Sequence, residues 1–400
     1  MQKANKVLIV SFYYTPEIGA AASRIANMAE GLQRQGLSVD VLTCLPNYPR
    51  GRIFEGYRGC YSKKETINGI NVYRYWTYAT VARTPLARLL GMAFFVLAIW
   101  VFGLKIRLIR QYDRVVIQSP PLPVAYAATL LFRCLYRRKT VLNVSDLWPE
   151  SAVELGAVKR GSLYYKVLRH MERFVYRHNS AYQGQSQEIV DHVSTMVPQK
   201  PHFLYRNLQP QAEVTAADTA SRRPLKLVYA GLFGVAQDIL GMIQSIDFKA
   251  CGAELHLYGG GNQVDAINDY LATHDCAVVN HGYVSKEQIN RELALYHASI
   301  VPLAVRIKGA VPSKIFDLLP HGVPILFCGG GEGEKIVADY QLGLTSEPGN
   351  YEALSNNIKT IASLSDAEYE QMCNNCLTAA ANDFNFNNQM VAFSHFLDQV

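Results

Sequence analysis

The sequence lacks the short motifs by which several classes of catalytic site are recognised. It contains no P-loop, no H-E-x-x-H zinc motif, no G-x-S-x-G nucleophile elbow and no G-x-G-x-x-G dinucleotide motif. Its ten histidines are dispersed, and its cysteines and histidines form no set with the spacing of metal ligands. These absences exclude the best-known NTPase, metalloprotease and serine-hydrolase signatures. They also predict a protein that uses no metal and no cofactor.

Features of secreted proteins are absent as well. The eight cysteines lie far apart, mostly within apolar segments, as is typical of reduced thiols in a cytosolic protein rather than of a disulfide framework. Cys373 and Cys376 form one C-x-x-C pair within a predicted helix, and we interpret both as packing residues. The first residues lead into the short β-like run Val7–Val10 and predict no signal peptide. We therefore expect a cytoplasmic location.

The net charge of +6 conceals an uneven distribution along the chain. Residues 1–206 contain 28 Lys and Arg against 12 Asp and Glu, a net charge of +16. Residues 207–400 contain 11 Lys and Arg against 21 Asp and Glu, a net charge of −10. Such asymmetry predicts two modules with different electrostatic roles. A basic module can bind nucleic acid or an anionic membrane surface, and the absence of an aromatic-rich basic platform argues against nucleic acid.

One apolar segment, Leu89–Leu104, favours the membrane. Its 16 residues fall short of the roughly 20 that span a bilayer. It could be a buried core helix, or a helix whose face enters the membrane interface with Trp100 at headgroup level. We favour membrane contact, while a second basic helix over Lys159–Arg177 could equally be a solvated face. The cations that flank the apolar segment are Arg83, Arg88, Lys105, Arg107 and Arg110.

Short β-like runs alternate with helical segments along nearly the whole chain. Many of these runs are continuous in Val, Ile and Leu, as is typical of strands buried on both faces of a parallel sheet. The alternation predicts an α/β fold of two Rossmann-like, doubly wound domains. The predicted strands are 6–12, 38–43, 71–76, 114–118, 140–144 and 181–184, then 226–230, 254–258, 277–280, 299–302 and 324–328.

A polar, aperiodic segment separates the two predicted domains. The expected organisation is a first, membrane-facing domain over 1–206, a linker over 207–224 and a second domain over 225–383. Residues 384–400 would form a C-terminal helix. The sequence leaves open whether this helix packs back on the first domain.

Two loops at the carboxyl edge of the first predicted sheet carry candidate catalytic carboxylates. The segment SFYYTPEIGAAASR places Glu17 and Gly19 between a strand and a helix, where ligands bind in open α/β sheets and helix N–H groups meet phosphate or sugar oxygens. The same residues could form a purely structural turn. The segment VLNVSDLWPES places Asp146 and Glu150 at the same edge, although Asp146 could equally cap a helix.

The second half places glycines at the corresponding edge. Gly231 in LVYAGLFGVAQDI follows one strand, and Gly259 and Gly260 in LHLYGGGNQ follow the next. A backbone without side chains at these positions would allow close approach of a nucleotide. Each motif is weak alone, and the two together favour a nucleotide site.

The segment GAVPSKIFDLLPHGVPIL predicts a helix that begins near Ser313 and Lys314. Lys314 can meet a diphosphate together with helix N–H groups. Asp317, one turn later, can accept hydrogen bonds from a ribose diol. The alternative is that Lys314 and Asp317 form an ordinary i,i+3 surface pair.

Nearly the whole chain resembles the family 4 retaining glycosyltransferases. Four segments carry the resemblance, in this order: YYTPEIGA, LPNYPRGRIFEGYRG, DLWPES and VPSKIFDLLPHGVPIL. The nearest likeness is to WbuB-type fucosamine and fucose transferases of bacterial surface polysaccharide assembly. The resemblance implies the GT-B fold, in which two Rossmann-like domains face across a cleft. It also implies that the carboxyl-terminal domain holds the nucleotide sugar and the amino-terminal domain the acceptor.

The resemblance further implies roles for individual residues. The donor would contact Gly19 at its phosphates or sugar, Tyr283 and Val284 at its base, Ser313 and Lys314 at its diphosphate, and Asp317 at its ribose. The sequence departs from the family pattern at Gly309, where many members have a glutamate, and near Gln237, where a lysine is expected. Phosphate charge would then depend more on Lys314 and on Arg206 or Arg306.

The hypothesis is a metal-independent hexosyltransferase that moves a sugar from a nucleotide-sugar donor onto a polyprenyl-diphosphate-linked saccharide, with retention of the anomeric configuration. A UDP-sugar is the favoured donor. It would act in capsule, O-antigen (lipopolysaccharide) or exopolysaccharide assembly, as a peripheral protein on the inner face of the cell membrane. Asp146, Glu17 and Glu150 are the candidates for orienting the acceptor hydroxyl, with Asp146 first. The alternatives are a sugar-nucleotide epimerase of the same fold and a catalytically silent partner that tethers an assembly complex to the membrane.

Overall fold

The computed structural model describes residues 5–81, 85–154, 156–210 and 222–400. The chain divides into two compact units. The first comprises Met1–Asn207 and Asn387–Val400, and the second comprises Leu208–Phe386. Most of the predicted linker, residues 211–221, lies outside the described residues.

The first unit is built on one sheet. Its strands are β1 (Lys6–Val10), β2 (Ser38–Cys44), β3 (Ser62–Ile67), β4 (Ile70–Tyr75), β5 (Arg114–Ser119), β6 (Lys139–Val144), β7 (Ala181–Gly184) and β8 (His202–Leu204). Within the described residues these eight strands pair in the order β3-β4-β2-β1-β5-β6-β7-β8. All neighbours are parallel except the β3–β4 hairpin.

Helices follow the parallel strands as the alternating pattern predicts. They are α1 (Ala20–Arg34), α2 (Pro85–Gly103), α3 (Ile106–Ile109), α4 (Leu122–Ala128), α5 (Glu150–Glu154), α6 (Leu163–His178) and α7 (Gln187–Met196). A π-helical segment, Thr129–Leu135, continues α4. Buried residues of the strands pack with α2, α4, α6 and α7 into one hydrophobic core.

Helix α2 covers the apolar segment that was expected to be either core or membrane interface. Its inner face is core, because Phe95, Ile99 and Phe102 are fully buried. Its outer face is exposed and includes Leu97 and Trp100. The core interpretation is confirmed for the inner face, and contact of the outer face with a membrane stays a prediction. Among the described residues, no helix has the length and apolar character needed to cross a membrane.

The second unit is a six-stranded, all-parallel sheet within the part of the chain that the structure describes. Its strands are β9 (Leu225–Leu232), β10 (Ala253–Gly260), β11 (Val278–Gly282), β12 (Ala298–Pro302), β13 (Ile325–Cys328) and β14 (Gly343–Ser346). Their order is β11-β10-β9-β12-β13-β14. The helices are α8 (Ile239–Ser245), α9 (Val264–Thr273), α10 (Lys286–Glu292), α11 (Lys314–Leu318), α12 (Glu332–Asp339), α13 (Tyr351–Ser363) and α14 (Asp366–Ala381).

The last helix, α15 (Phe386–Gln399), packs on the first unit. The Arg114 guanidinium Nε donates to the carbonyl oxygen of Leu397 at 2.7 Å. The ring of Phe393 lies 5.4 Å from that of Phe203 and 5.1 Å from that of Tyr205, measured between centroids. Aromatic pairs and a charged donor therefore join the last helix to the first unit.

We expect Arg114→Met to destabilise the first unit, because it removes the donors to the carbonyl oxygens of Leu397 and Asp398. The free energy of unfolding should fall by about 1–3 kcal/mol. Urea unfolding of the full chain measures this, with Arg34→Met on the exposed part of α1 as the control. Equal stability of the two variants would show that Arg114 does not hold α15.

Candidate active site

The loop that follows β1 is organised by the buried carboxylate of Glu17. Its Oε1 accepts hydrogen bonds from the backbone N–H groups of Asn47 and Tyr48, both at 2.9 Å, and its Oε2 accepts from that of Tyr14 at 3.1 Å. Burial raises the pKa of Glu17, and these three bonds oppose the rise. Since both oxygens bind backbone, Glu17 has a structural role in this loop, and its contact with an acceptor stays a prediction.

Gly19 lies at the amino end of α1, as the sequence predicts. A Cβ atom here would stand 3.0 Å from Cε1 of Tyr48. The glycine therefore has a packing reason within the first unit, in addition to any approach of a ligand to the helix N–H groups.

The loop after β6 places Asp146 where it interacts electrostatically with Arg24 of α1. Burial raises the pKa of Asp146, whereas Arg24 and a 3.4 Å hydrogen bond from the Ser145 hydroxyl lower it. Burial lowers the pKa of Arg24 in turn, and Asp146 opposes that shift. Each group thus stabilises the charged form of the other.

A buried hydrogen-bond network fixes this pair. Arg24 Nη1 donates to the Gln185 side-chain oxygen, and the Gln185 amide donates to the carbonyl oxygen of Ser145. The hydroxyl of Ser145 accepts from Gln118 at 2.9 Å. Arg24 Nε is buried without a hydrogen-bond partner among the described residues. The ends of β5, β6 and β7 and the start of α1 therefore jointly position Asp146.

Arg24 is a candidate that the sequence reasoning missed. It stands in the quoted segment SFYYTPEIGAAASR, at the end of a run of small residues. A lone cation among buried helix positions is the signal that could have identified it, because such a group needs a partner. Its side chain is 8% exposed.

Glu150 begins α5, and its carboxylate is bound within the first unit. Oε1 accepts from the Tyr165 hydroxyl at 2.6 Å, and Oε2 pairs with Arg160. Both partners precede or begin α6, so Glu150 anchors that helix, and its role toward an acceptor stays a prediction. Arg206 lies just after β8 at the same sheet edge, and its backbone exchanges two hydrogen bonds with the Gln389 side chain.

In the second unit, two predicted site residues from separate motifs are in contact. The side chain of Lys314 lies directly against Gly231, where a Cβ atom would stand 2.2 Å from Cε and 2.4 Å from Nζ of the lysine. Nζ also lies 5.2 Å from the ring centroid of Tyr229. Burial lowers the pKa of Lys314, and Asp317 opposes the shift. Gly231 therefore makes room for the lysine at the end of β9, a reason that the sequence reasoning did not foresee.

The two neighbouring glycines of β10 differ in their surroundings. Gly259 pairs in register with Gly231, and a Cβ atom there would stand 1.8 Å from the Gly231 carbonyl oxygen. Its φ of +143° is also unfavourable for other residues. A Cβ atom at Gly260 would meet nothing within 4 Å. Gly259 is thus required by the sheet, while Gly260 borders open space.

The remaining candidates lie along the same carboxyl edge. Gln237 is in the loop after β9, where its Oε1 would be 2.7 Å from a Cβ atom at Gly234. Tyr283 and Val284 follow β11, with Tyr283 75% exposed and Val284 half-buried. Arg306 is exposed in the loop after β12, Gly309 is buried there, and Ser313 directly precedes α11. The sheet brings these second-unit candidates to one edge, as predicted.

The motifs of the first unit also match a known family of domains. Residues 19–205 match the glycosyl transferase 4-like domain. The protein described as "Probable glycosyltransferase WbjE" of Pseudomonas aeruginosa is 25% identical over 244 residues, which are 56% of this chain and 60% of that protein. The alignment thus spans less than two thirds of the relative. The WbuB-type subgroup stays a prediction.

Solved structures resemble the chain over its full length. Sucrose-phosphate synthase from Thermosynechococcus elongatus aligns with a TM-score of 0.75 at 13% identity, covering 99% of this chain and 98% of that one. HepE of Anabaena, solved with UDP and glucose, gives 0.69 at 12% identity, covering 99% and 100%. WaaG, a glycosyltransferase involved in lipopolysaccharide biosynthesis, gives 0.62 at 12%, covering 98% and 99%. The chain has the GT-B fold, as predicted.

Alanine substitutions at the two glycines of β10 should have different effects. Gly259→Ala forces a clash with backbone, so we expect the free energy of unfolding to fall by about 2 kcal/mol or more. Gly260→Ala should change it by less than about 1 kcal/mol, because its Cβ meets open space. Urea unfolding of both variants measures the difference. A stable Gly259→Ala protein would contradict the described register.

Proposed function

We propose that the protein is a glycosyltransferase that moves a sugar from a UDP-sugar onto a polyprenyl-diphosphate-linked saccharide, with retention of configuration. The observation that carries the proposal is the half-buried side chain of Lys314, held against Gly231 at the carboxyl edge of the second sheet. The glycosyl transferase 4-like match of the first unit supports it. So do the UDP complexes among the proteins that share the fold.

Lys314 has the properties of a diphosphate ligand. A cation that is partly removed from water attracts an anion more strongly than a fully solvated one, because the local dielectric is lower. The contacts with Gly231 and the ring of Tyr229 fix its position before the donor arrives. In this proposal Ser313 and Arg306 add donors to the phosphates. Tyr283 and Val284 border the base, and Asp317 binds the ribose.

The proposed chemistry needs a leaving group that is stabilised as its charge develops. The acceptor oxygen forms a bond to the anomeric carbon while the bond between that carbon and the UDP oxygen breaks. The proton of the acceptor hydroxyl passes to the departing phosphate, and Lys314 stabilises the UDP by charge. No metal takes part in this scheme. Asp146 orients the acceptor hydroxyl, and Arg24 opposes the rise that burial causes in the pKa of its carboxyl.

The acceptor and the place of action complete the proposal. A net charge of +16 in residues 1–206 and the exposed face of α2 fit an anionic membrane surface, where polyprenyl-linked saccharides reside. We assign the protein to the cytoplasmic side of that membrane. Capsule, O-antigen or exopolysaccharide assembly would supply such an acceptor, with WbuB-type enzymes as the expected subgroup.

A panel assay tests this function. Purified protein in detergent with EDTA is given UDP- and GDP-sugars and a polyprenyl-diphosphate-linked saccharide, and nucleoside diphosphate and lipid-linked product are quantified. We expect acceptor-dependent release with a UDP-sugar. Lys314→Met should lower kcat/KM by roughly a hundredfold or more, because the charge that stabilises UDP is lost.

Lys335→Met, an exposed lysine of α12, is the matched control and should retain activity. Conversion of the donor sugar without acceptor would identify an epimerase instead. Silence across the panel, with no nucleotide binding by calorimetry, would support a catalytically silent tether and overturn the proposal. Activity that is lost in EDTA and restored by a divalent cation would contradict the metal-independent scheme.

Removal of Arg24 should change the pH dependence of the reaction. Because Arg24 lowers the pKa of Asp146 against the effect of burial, Arg24→Gln should raise that pKa. The acidic limb of the kcat/KM profile should then move to higher pH, and Asp146→Asn should abolish that limb. Arg34→Gln, on the same helix but exposed, is the control. An unshifted profile in Arg24→Gln would rule out this electrostatic role.

A further inference from the structure

The outward face of α2 is an unbroken apolar stripe. Its exposed residues recur every three or four positions, so they lie on one side of the helix. No charged residue occurs between Leu89 and Leu104. A contiguous exposed apolar surface of this kind marks a site of contact with a protein or a membrane. The apolar stripe comprises Leu89, Leu90, Ala93, Phe94, Leu97, Trp100, Val101 and Leu104.

Cations from two separate segments collect at the carboxyl end of this stripe. The Tyr136 hydroxyl donates to the carbonyl oxygen of Gly103 at 2.7 Å, and Arg138 Nη1 donates to that of Arg110 at 3.4 Å. These bonds dock the turn before β6 onto the last residue of α2 and the segment that follows it. The resulting basic rim comprises Arg107, Arg110, Arg137, Arg138 and Lys139.

The stripe also leads to the candidate active site of the first unit. Helix α2 ends shortly before β5 begins, so its carboxyl end and the basic rim lie at the amino edge of the sheet. The middle of α2 lies near the loop after β1, where the ring of Phe95 is 5.6 Å from that of Phe12. The stripe therefore runs along the strands, from the edge that holds Asp146 to the edge that holds the basic rim.

We propose that the apolar stripe and the basic rim form one docking surface for an anionic phospholipid bilayer. The stripe enters the boundary between headgroups and acyl chains, and the basic rim binds lipid phosphates. Because Phe95, Ile99 and Phe102 on the opposite face are core residues, α2 lies in the plane of the interface. This inference gives the membrane contact of the proposed function its surface and lipid chemistry, and it does not depend on catalysis.

Charge favours a lipid surface over a second copy of the chain. The basic rim lies at the carboxyl end of the stripe. Two stripes packed in parallel would bring one basic rim against the other. Anionic headgroups neutralise the rim instead.

Vesicle flotation of the full chain tests the proposal. We expect binding to vesicles that contain phosphatidylglycerol, weak binding to phosphatidylcholine alone, and release at high salt. Arg107→Gln with Arg137→Gln should lower the partition coefficient by roughly thirtyfold, since each cation contributes to the attraction. Leu97→Gln should lower binding to both kinds of vesicle. Arg34→Gln is the exposed control.

The stripe and rim variants change exposed residues, so their thermal unfolding should match that of the parent protein. In detergent, their turnover with a solubilised acceptor should also match the parent. Lost vesicle binding would therefore support the docking surface even if the transferase assay found no activity. Unchanged binding in both variants would overturn it, as would a dimer that Leu97→Gln dissociates.

Discussion

Parallel strand pairing brings the carboxyl ends of neighbouring strands to one edge, and both candidate sites depend on this constraint. In the first unit, the loops after β6 and β7 meet the start of α1 there, so that Gln185 can join Arg24 to the backbone beside Asp146. In the second unit, the register of β9 with β10 places Gly231 beside Gly259. Neither cluster is local in sequence; each exists because crossover connections return the parallel strands in the same direction.

The central strands could be predicted because they are buried on both faces and therefore consist of continuous Val, Ile and Leu runs. The strands that the sequence reasoning missed are at or near sheet edges and lack this pattern. β3 (SKKETI) is polar and only half-buried, β8 is three residues long, and β14 (GLTS) is polar. The two interpretations of α2 could not be separated, because an apolar sequence does not show which face a neighbouring element covers.

At the candidate sites, sequence identified the loops better than the role of each side chain. Glu17 and Glu150 are acidic residues at the expected edge, but their partners are a backbone segment 30 residues away and a tyrosine at position 165. No local pattern encodes such partners. Gly231 is predicted to allow close approach of a nucleotide, and in the structure it makes room for the side chain of Lys314, which belongs to a separate motif. Arg24 was missed because its importance comes from burial, which only the packed fold reveals.

The position of α15 has a consequence for the order in which the chain folds during synthesis. The first unit needs Phe393, Met390 and Leu397 to complete its core, and these residues leave the ribosome after the whole second unit. The second unit is continuous in sequence and can fold as soon as it has emerged. Until α15 has emerged as well, the apolar surface around Phe203 and Tyr205 lacks its cover. The amino-terminal half of this protein is thus the half that matures second.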